Sequence, residues 1–341
     1  MGMFKKSLAT ILALSMMTVC SAGCGGGNTT AAANEGETKA SASTAIKQAN
    51  YSWGSAALGT ATYIMIEAMA STANKYVDSK NSSVSTSGSV ENLSLINQGE
   101  IAFGSGTSDS LYYGRNGMPP YTETMEFSQV FAFTSWSIPM LVRADSGIEN
   151  FEDLIGHTVS IGTSGQAASS MMLAIMDEYG IRDKIKYEYM SSADAADAFQ
   201  AGQIDGLASP MILGKVLDTS MQQLSMSMDF KPVKVDKEIL ERVVAKNIGL
   251  KEVVTSGSAF NVPVEDQYDI GNTAILICDP DLPEDAVYDI AKTLFEHSGD
   301  LKTLSSRLEA FDPDYAYSGM IGDYPIHAGA LRYYKEIGIG G

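Results

Sequence analysis

Three loops of small, hydroxyl-bearing residues carry most of the chemistry legible in this chain. They are Gly54-Ser55-Ala56-Ala57-Leu58-Gly59-Thr60, Ser87-Gly88-Ser89 and Gly162-Thr163-Ser164-Gly165. Each follows a short strand pattern and precedes a helical one. A helix start offers N–H groups with no partner inside the helix, together with a partial positive charge. Such loops therefore suit a carboxylate or another anion. The same residues also serve as plain helix caps and turns, so one loop alone decides nothing. Three in register at strand ends mark a binding cleft.

The residues that activated catalysis requires are not placed for it. The sequence has no G-x-x-x-x-G-K-[ST], H-E-x-x-H or C-x-x-C, and no G-x-S-x-G, because Ser164 stands one place off. The histidines are His157, His297 and His327. His157 lies in a turn before a strand, and His297 in the last helical turn, where a cation suits the dipole. His327 suits a surface or helix-start position. None has metal-ligand spacing. Asp194 and Asp197 read as a solvated helix face, and Tyr112-Tyr113 as packing. The expectation is a protein that is not an enzyme and holds no metal or cofactor.

Strand and helix patterns alternate around these loops. Strands are expected at 51–54, 83–86 and 101–104, with helices at 63–77 and 90–98. The pattern repeats with strands at 158–161, 186–190 and 204–208 and helices at 167–179 and 193–201. This alternation predicts an α/β fold with mainly parallel sheets. Met171, Met172, Ile175 and Met176 share one helical face, and Gly180 stops that helix. Two apolar stretches, 137–145 and 271–279, read as crossover strands joining two lobes. Pro283 suits the first position of the helix after the second, and Glu284 and Asp285 suit its positive end. Ligands of such sheets bind outside the carboxyl ends of the strands.

The chain begins as an export signal. Lys5 and Lys6 precede an apolar run at 8–19, shorter than the roughly 20 residues a membrane span needs. Ser21, Ala22 and Gly23 then lead to Cys24, in a pattern resembling a bacterial lipoprotein box with Ser21 where Leu is usual. An ordinary cleaved secretory signal is the other reading. Residues 24–44, rich in Gly, Ala, Thr and Ser, read as a flexible linker. About 295 residues follow, enough for two lobes. The expected division is 1–23 signal peptide, 24–44 linker, 45–140 first lobe, 141–270 second lobe, and 271–341 returning to the first lobe with C-terminal helices. The formal charge is −18, and losing the two signal lysines makes it −20. That excludes a basic nucleic-acid face but not a local anion site. With Cys20 removed and Cys24 lipidated, Cys278 stands alone and is expected as a buried, inert thiol.

From about Tyr51 to Gly338 the chain resembles the TAXI class of solute receptors of tripartite ATP-independent periplasmic (TRAP) transporters. The markers are Thr86-Ser87-Gly88-Ser89-Val90-Glu91-Asn92-Leu93, Asn97-Gln98-Gly99-Glu100, Val142-Arg143-Ala144-Asp145-Ser146-Gly147-Ile148, Gly202-Gln203-Ile204-Asp205 and Tyr324-Pro325-Ile326-His327-Ala328-Gly329-Ala330-Leu331-Arg332-Tyr333-Tyr334. The resemblance implies a type II periplasmic-binding-protein fold. It also implies glutamate, glutamine or a related dicarboxylate as ligand, and an integral-membrane permease driven by an ion gradient as partner. The chain departs from the family where Thr62 replaces a tyrosine, Ile64 a proline, and Gly162-Thr163-Ser164-Gly165-Gln166 a longer Gly-Ser-Gly-Thr-Glu run. The segment Gly106-Thr107-Ser108 also lacks a Gln that is frequent there. These departures fall on cleft loops and bear on the ligand rather than the fold.

The expected site is Ser55, Leu58, Thr60, Ser87, Gly88, Ser89, Thr107, Ser108 and Asp109 on the first lobe. Ser164, Gly165, Gln166, Ser209 and Pro210 face them from the second. Backbone N–H groups are expected to do most of the binding, and closure follows because the ligand touches both lobes only when they are shut. A receptor of this fold serving an ATP-driven importer, a sensory ligand-binding lipoprotein and an enzyme remain open alternatives.

Overall fold

The computed structural model describes residues 49–164 and 166–340. The first part runs β1 (Ala49–Gly54), α1 (Ala61–Tyr76), β2 (Ser79–Val84), α2 (Ser89–Asn97), β3 (Phe103–Thr107), α3 (Ser108–Arg115) and β4 (Ser128–Ser137). The middle holds β5 (Met140–Arg143), β6 (Thr158–Ser160), α4 (Ala167–Tyr179), β7 (Lys186–Glu188), α5 (Ser192–Gln200) and β8 (Gly206–Ala208). It continues through β9 (Met211–Ile212), β10 (Val216–Leu217), α6 (Thr219–Leu224), β11 (Phe230–Pro232), α7 (Lys237–Lys246) and β12 (Lys251–Thr255). The last part is β13 (Gln267–Cys278), α8 (Glu284–Glu296), α9 (Ser298–Leu304), α10 (Pro313–Ser318) and α11 (Ala328–Glu336).

Two sheets result. The larger has the order β10-β9-β4-β13-β3-β1-β2, with β12 also on β13. Its strands β1, β2 and β3 are parallel, and β13 is antiparallel to both β3 and β4. The smaller has the order β11-β5-β8-β6-β7, with β6, β7 and β8 parallel. Helices cover both sheets, which gives the expected two-lobed type II periplasmic-binding-protein fold.

The strand β2 shows how local chemistry replaces missing hydrophobicity. Its sequence, Ser-Lys-Asn-Ser-Ser-Val, has almost no apolar residue, and the alternation predicted a strand only from 83. The buried Asn81 supplies the anchor. It accepts from Trp53 Nε1 at 3.1 Å, and its own N–H donates to Asn74 Oδ1 at 2.7 Å. These bonds tie β2 to β1 and α1 and extend the strand back to Ser79.

The lobes share two long strands. Val130 to Phe133 of β4 lie in the larger core, whereas Ile138, just beyond it, lies in the smaller. In β13, Ile270 belongs to the smaller core and Ala274 to Cys278 to the larger. The expected crossover 137–145 is therefore not one strand. It breaks at Ile138-Pro139, where Pro139 has no N–H to continue a ladder, and resumes as β5 in the other sheet. The stretch 271–279 is the second half of β13 and lies in the larger sheet. Residues 211–217 and 251–255, although inside 141–270, pair with the larger sheet.

Four residue-level expectations are met, those for the α4 face, Cys278, His297 and His327. Met171, Met172, Ile175 and Met176 are buried on α4, which ends at Gly180 in the left-handed conformation, φ +66°. Cys278 is buried and unpaired, and burial pushes its thiol pKa well up. His297 ends α8 with its ring stacked on Tyr76 at 3.6 Å. His327 caps α11: its Nδ1 accepts from Gly329 N–H, leaving Nε2–H to donate to Leu282 O at 3.1 Å. Among the described residues no helix is long and apolar enough to cross a membrane, and no group of three or more acids, cysteines or histidines could hold a metal. Cys24 lies outside the described residues.

Candidate functional site

The carboxyl ends of β1, β2 and β3 share one edge of the larger sheet, so the loops at 55–60, 85–88 and 107–109 sit side by side. In the smaller sheet the ends of β6, β7 and β8 bring together 161–164, 189–191 and 209–210. Both rims adjoin the passage between the lobes. Thr273 N–H donates to Ser108 Oγ at 2.9 Å, and Ser209 N–H donates to Pro139 O at 3.1 Å. Each rim is thus bonded to one of the segments that pass from lobe to lobe.

Most of the expected polar groups on the first rim are already occupied by the protein. Ser55 is buried and donates both its N–H and its Oγ to Val84 O, at 2.9 and 2.7 Å. Thr60 caps α1, accepting from Tyr63 N–H at 3.3 Å. Ser87 gives its N–H and hydroxyl to Glu91 Oε2, at 2.6 and 2.7 Å. Gly88, at φ +117°, donates to Thr86 Oγ1 at 3.2 Å. Ser89 Oγ accepts from Thr107 N–H at 2.8 Å. Ser108 is buried and donates to Gly249 O. Asp109, also buried, accepts from Asn272 Nδ2 at 2.7 Å, and burial raises its pKa against that bond and one from Thr107. Leu58, in contrast, is 73% exposed and sits on the rim without a polar role.

On the second rim Ser164 and Gln166 are exposed, Pro210 is half-buried and Ser209 is buried, donating to Asp218 Oδ2 at 3.2 Å. Gly165 lies outside the described residues. Two surface depressions, one around Arg143 and Met228 and one around Tyr76 and His297, lie at the opposite ends of their sheets.

What remains for a ligand is chiefly backbone. Neither α2 nor α4 has a side-chain cap, so the first-turn N–H groups of both have no partner inside their helices. The two starts differ in charge. α2 carries Glu91 in its first turn, and the bonds from Ser87 hold that carboxyl below its ordinary pKa. α4 has no acid in its first turn. The loops 54–63, 84–91, 105–113, 161–168 and 208–214 contain no Lys, Arg or His. An anion placed here would meet helix dipoles rather than a cation, with less opposing charge at α4.

One residue that sequence reasoning passed over organises the first rim. Asn92 is fully buried in α2. Its Nδ2 donates to Ser55 O at 2.8 Å and Ser105 O at 2.9 Å, and its Oδ1 accepts from Thr86 Oγ1 at 2.8 Å. Room for it comes from Gly54, where a Cβ would stand 2.3 Å from Asn92 Oδ1. A single polar residue at a predicted buried helix position was the available signal, since buried amides are hydrogen-bonded.

The chain resembles solved binding proteins across most of its length. With the periplasmic aliphatic sulphonate binding protein SsuA from Escherichia coli it shares 14% identity over 85% of this chain and 84% of that one, at TM-score 0.45. For the probable amino-acid ABC transporter extracellular-binding protein ytmK from Bacillus subtilis the values are 15%, 77%, 98% and 0.49. For a TctC solute binding protein from Polaromonas they are 14%, 78%, 89% and 0.47. The model of the NMT1-like family matches residues 53–338, nearly all of the two-lobed region, and the chain belongs to that family.

Proposed function

We propose that this protein is an extracytoplasmic receptor that captures a small polar solute between its lobes and delivers it to a membrane permease. The observation that carries the reading is the pair of uncapped helix starts, α2 and α4, one at the strand ends of each lobe. The resemblance to the TAXI class favours a TRAP permease as partner and glutamate, glutamine or a related dicarboxylate as solute. The export signal and Cys24 support a lipid tether, which would raise the receptor's effective concentration beside its permease. Ser89, Thr107, Ser164, Gly165 and Gln166 would contact the solute, with Leu58 and Pro210 closing its sides. Ser55, Thr60, Ser87, Gly88, Ser108, Asp109 and Ser209 would shape the walls.

Thermal denaturation tests the solute class. A true ligand at about 100 times its Kd stabilises the folded form by about 2.7 kcal/mol. No shift with glutamate, glutamine or dicarboxylates would reject that class, and mass spectrometry of co-purifying small molecules would then name another.

The charge asymmetry orders these candidates. Glu91 at α2 and the lack of a cation in the rim loops disfavour a second carboxylate, so glutamine should bind more tightly than a dicarboxylate. Glu91→Gln removes the competing charge. It is expected to strengthen dicarboxylate binding several-fold while changing glutamine binding little, as measured by calorimetry. Equal changes for both solutes would show that Glu91 has no part in selecting charge.

A further inference from the structure

Three side chains link the two passages between the lobes, and solute capture uses none of them. Ser137 ends β4, Thr255 ends β12, and Asp269 lies in β13. Thr255 Oγ1 stands 3.0 Å from Ser137 Oγ and 2.9 Å from Asp269 Oδ2. All three residues are buried, Asp269 to within 1% of complete exclusion from solvent. The chain of contacts thus spans both strands that leave one core for the other.

This cluster is short of a hydrogen. Asp269 Oδ1 is buried without a hydrogen-bond partner, and so is Oε1 of Gln267, two residues away on the same face of β13. The amide nitrogen of Gln267 donates to Val233 O at 3.2 Å. An ionised carboxylate only accepts, so the ionised cluster holds two unmatched acceptors where water does not reach. A protonated carboxyl turns one of them into a donor.

We propose that Asp269 is a proton-operated latch between the lobes, which when protonated holds β4, β12 and β13 in the arrangement described above and when ionised loosens it. An ionised Asp269 recovers solvation only where these strands part, so its ionisation favours a different disposition of the lobes. Burial raises the carboxyl to about 7, opposed first by the bond from Thr255. The ionisable groups on the surrounding elements include Lys251 and Glu252 of β12, Lys237, Glu238, Glu241, Arg242 and Lys246 of α7, Asp109 and Arg115 of α3, and Asp266 beside β13. The shift comes from burial and hydrogen bonds and not from their charges. The latch is therefore set below neutral pH and released above it. It rests on the inter-lobe strands and not on the solute, so failure of the solute assignment leaves it standing.

The chain carries its own reporter. Of its two tryptophans, Trp53 is fully buried in the larger core, whereas Trp136 is half-buried beside Ser137 and pairs with Asn272 of β13. Intrinsic fluorescence of the full chain, titrated across neutral pH, should change in one step with its midpoint near pH 7. Asp269→Asn should abolish that step. Thr255→Val, which removes a donor to the ionised form, should keep the step and move its midpoint upward. A flat wild-type titration would overturn the latch, and so would an unchanged step in Asp269→Asn, which assigns the signal to another group. Should Asp269→Asn not fold, an unmoved midpoint in Thr255→Val overturns it equally.

Discussion

Replacing Asn92 by alanine is expected to cost about 3–5 kcal/mol of stability and to abolish solute binding. The variant takes the shared donor from Ser105 O and Ser55 O, of which Ser55 O keeps only the Ser105 hydroxyl at 2.9 Å, and leaves Thr86 Oγ1 without its acceptor. Each buried group so stranded costs roughly 1–3 kcal/mol, because water does not replace the lost partner. A cavity beside Gly54 and Gly104, whose missing Cβ atoms accommodate the side chain, adds to the loss. Three loops of the first rim then lose the cross-link that sets their spacing. Urea denaturation measures the first effect and calorimetry the second. A loss below about 1 kcal/mol would mean that the loops hold their shape without Asn92.

Gly249→Ala is expected to be the next most damaging single change. The position has no positive φ and needs glycine for space alone. A Cβ there would stand 2.0 Å from Ser108 O and 2.6 Å from Asp109 N. Both are backbone atoms at the start of α3 and cannot rotate away. The segment around Gly249 connects α7, packed on the smaller core, to β12 on the larger sheet. Asn247 Nδ2 reaches Asp109 O at 3.4 Å, and Ser108 Oγ holds Gly249 O. Forcing these apart breaks the seat of α3, at a cost of about 3 kcal/mol. Unfolding in urea should shift accordingly, and retained solute affinity in the folded fraction would show that the seat of α3 does not govern the rim.

The fold was legible in the sequence because its signals are local. The alternation of short apolar runs and helical faces located most of the strands, and glycines such as Gly180 marked helix ends. Strand extents were read less well where the anchor is a distant side chain, as with Asn81 in β2. The rim loops were located, but their free groups were misjudged in number. Ser55 and Ser87 look available in a one-dimensional reading. In the structure they are held by Val84 O and Glu91. Asp109 looks like a ligand-facing acid and instead meets Asn272, distant in sequence. Partners of that kind are fixed by the tertiary fold and leave no local trace.

The position of β13 has a consequence for biosynthesis. It is the strand between β3 and β4 in the larger sheet, yet it is made after all the others. Until it emerges, the parallel trio β1, β2 and β3 shares no edge with β4, and the larger sheet stays in two pieces. Pairings this distant in sequence are slow to form. A nascent chain held open until nearly four-fifths of it has been synthesised stays threadable. A chain in that state can still pass through a narrow pore before it folds.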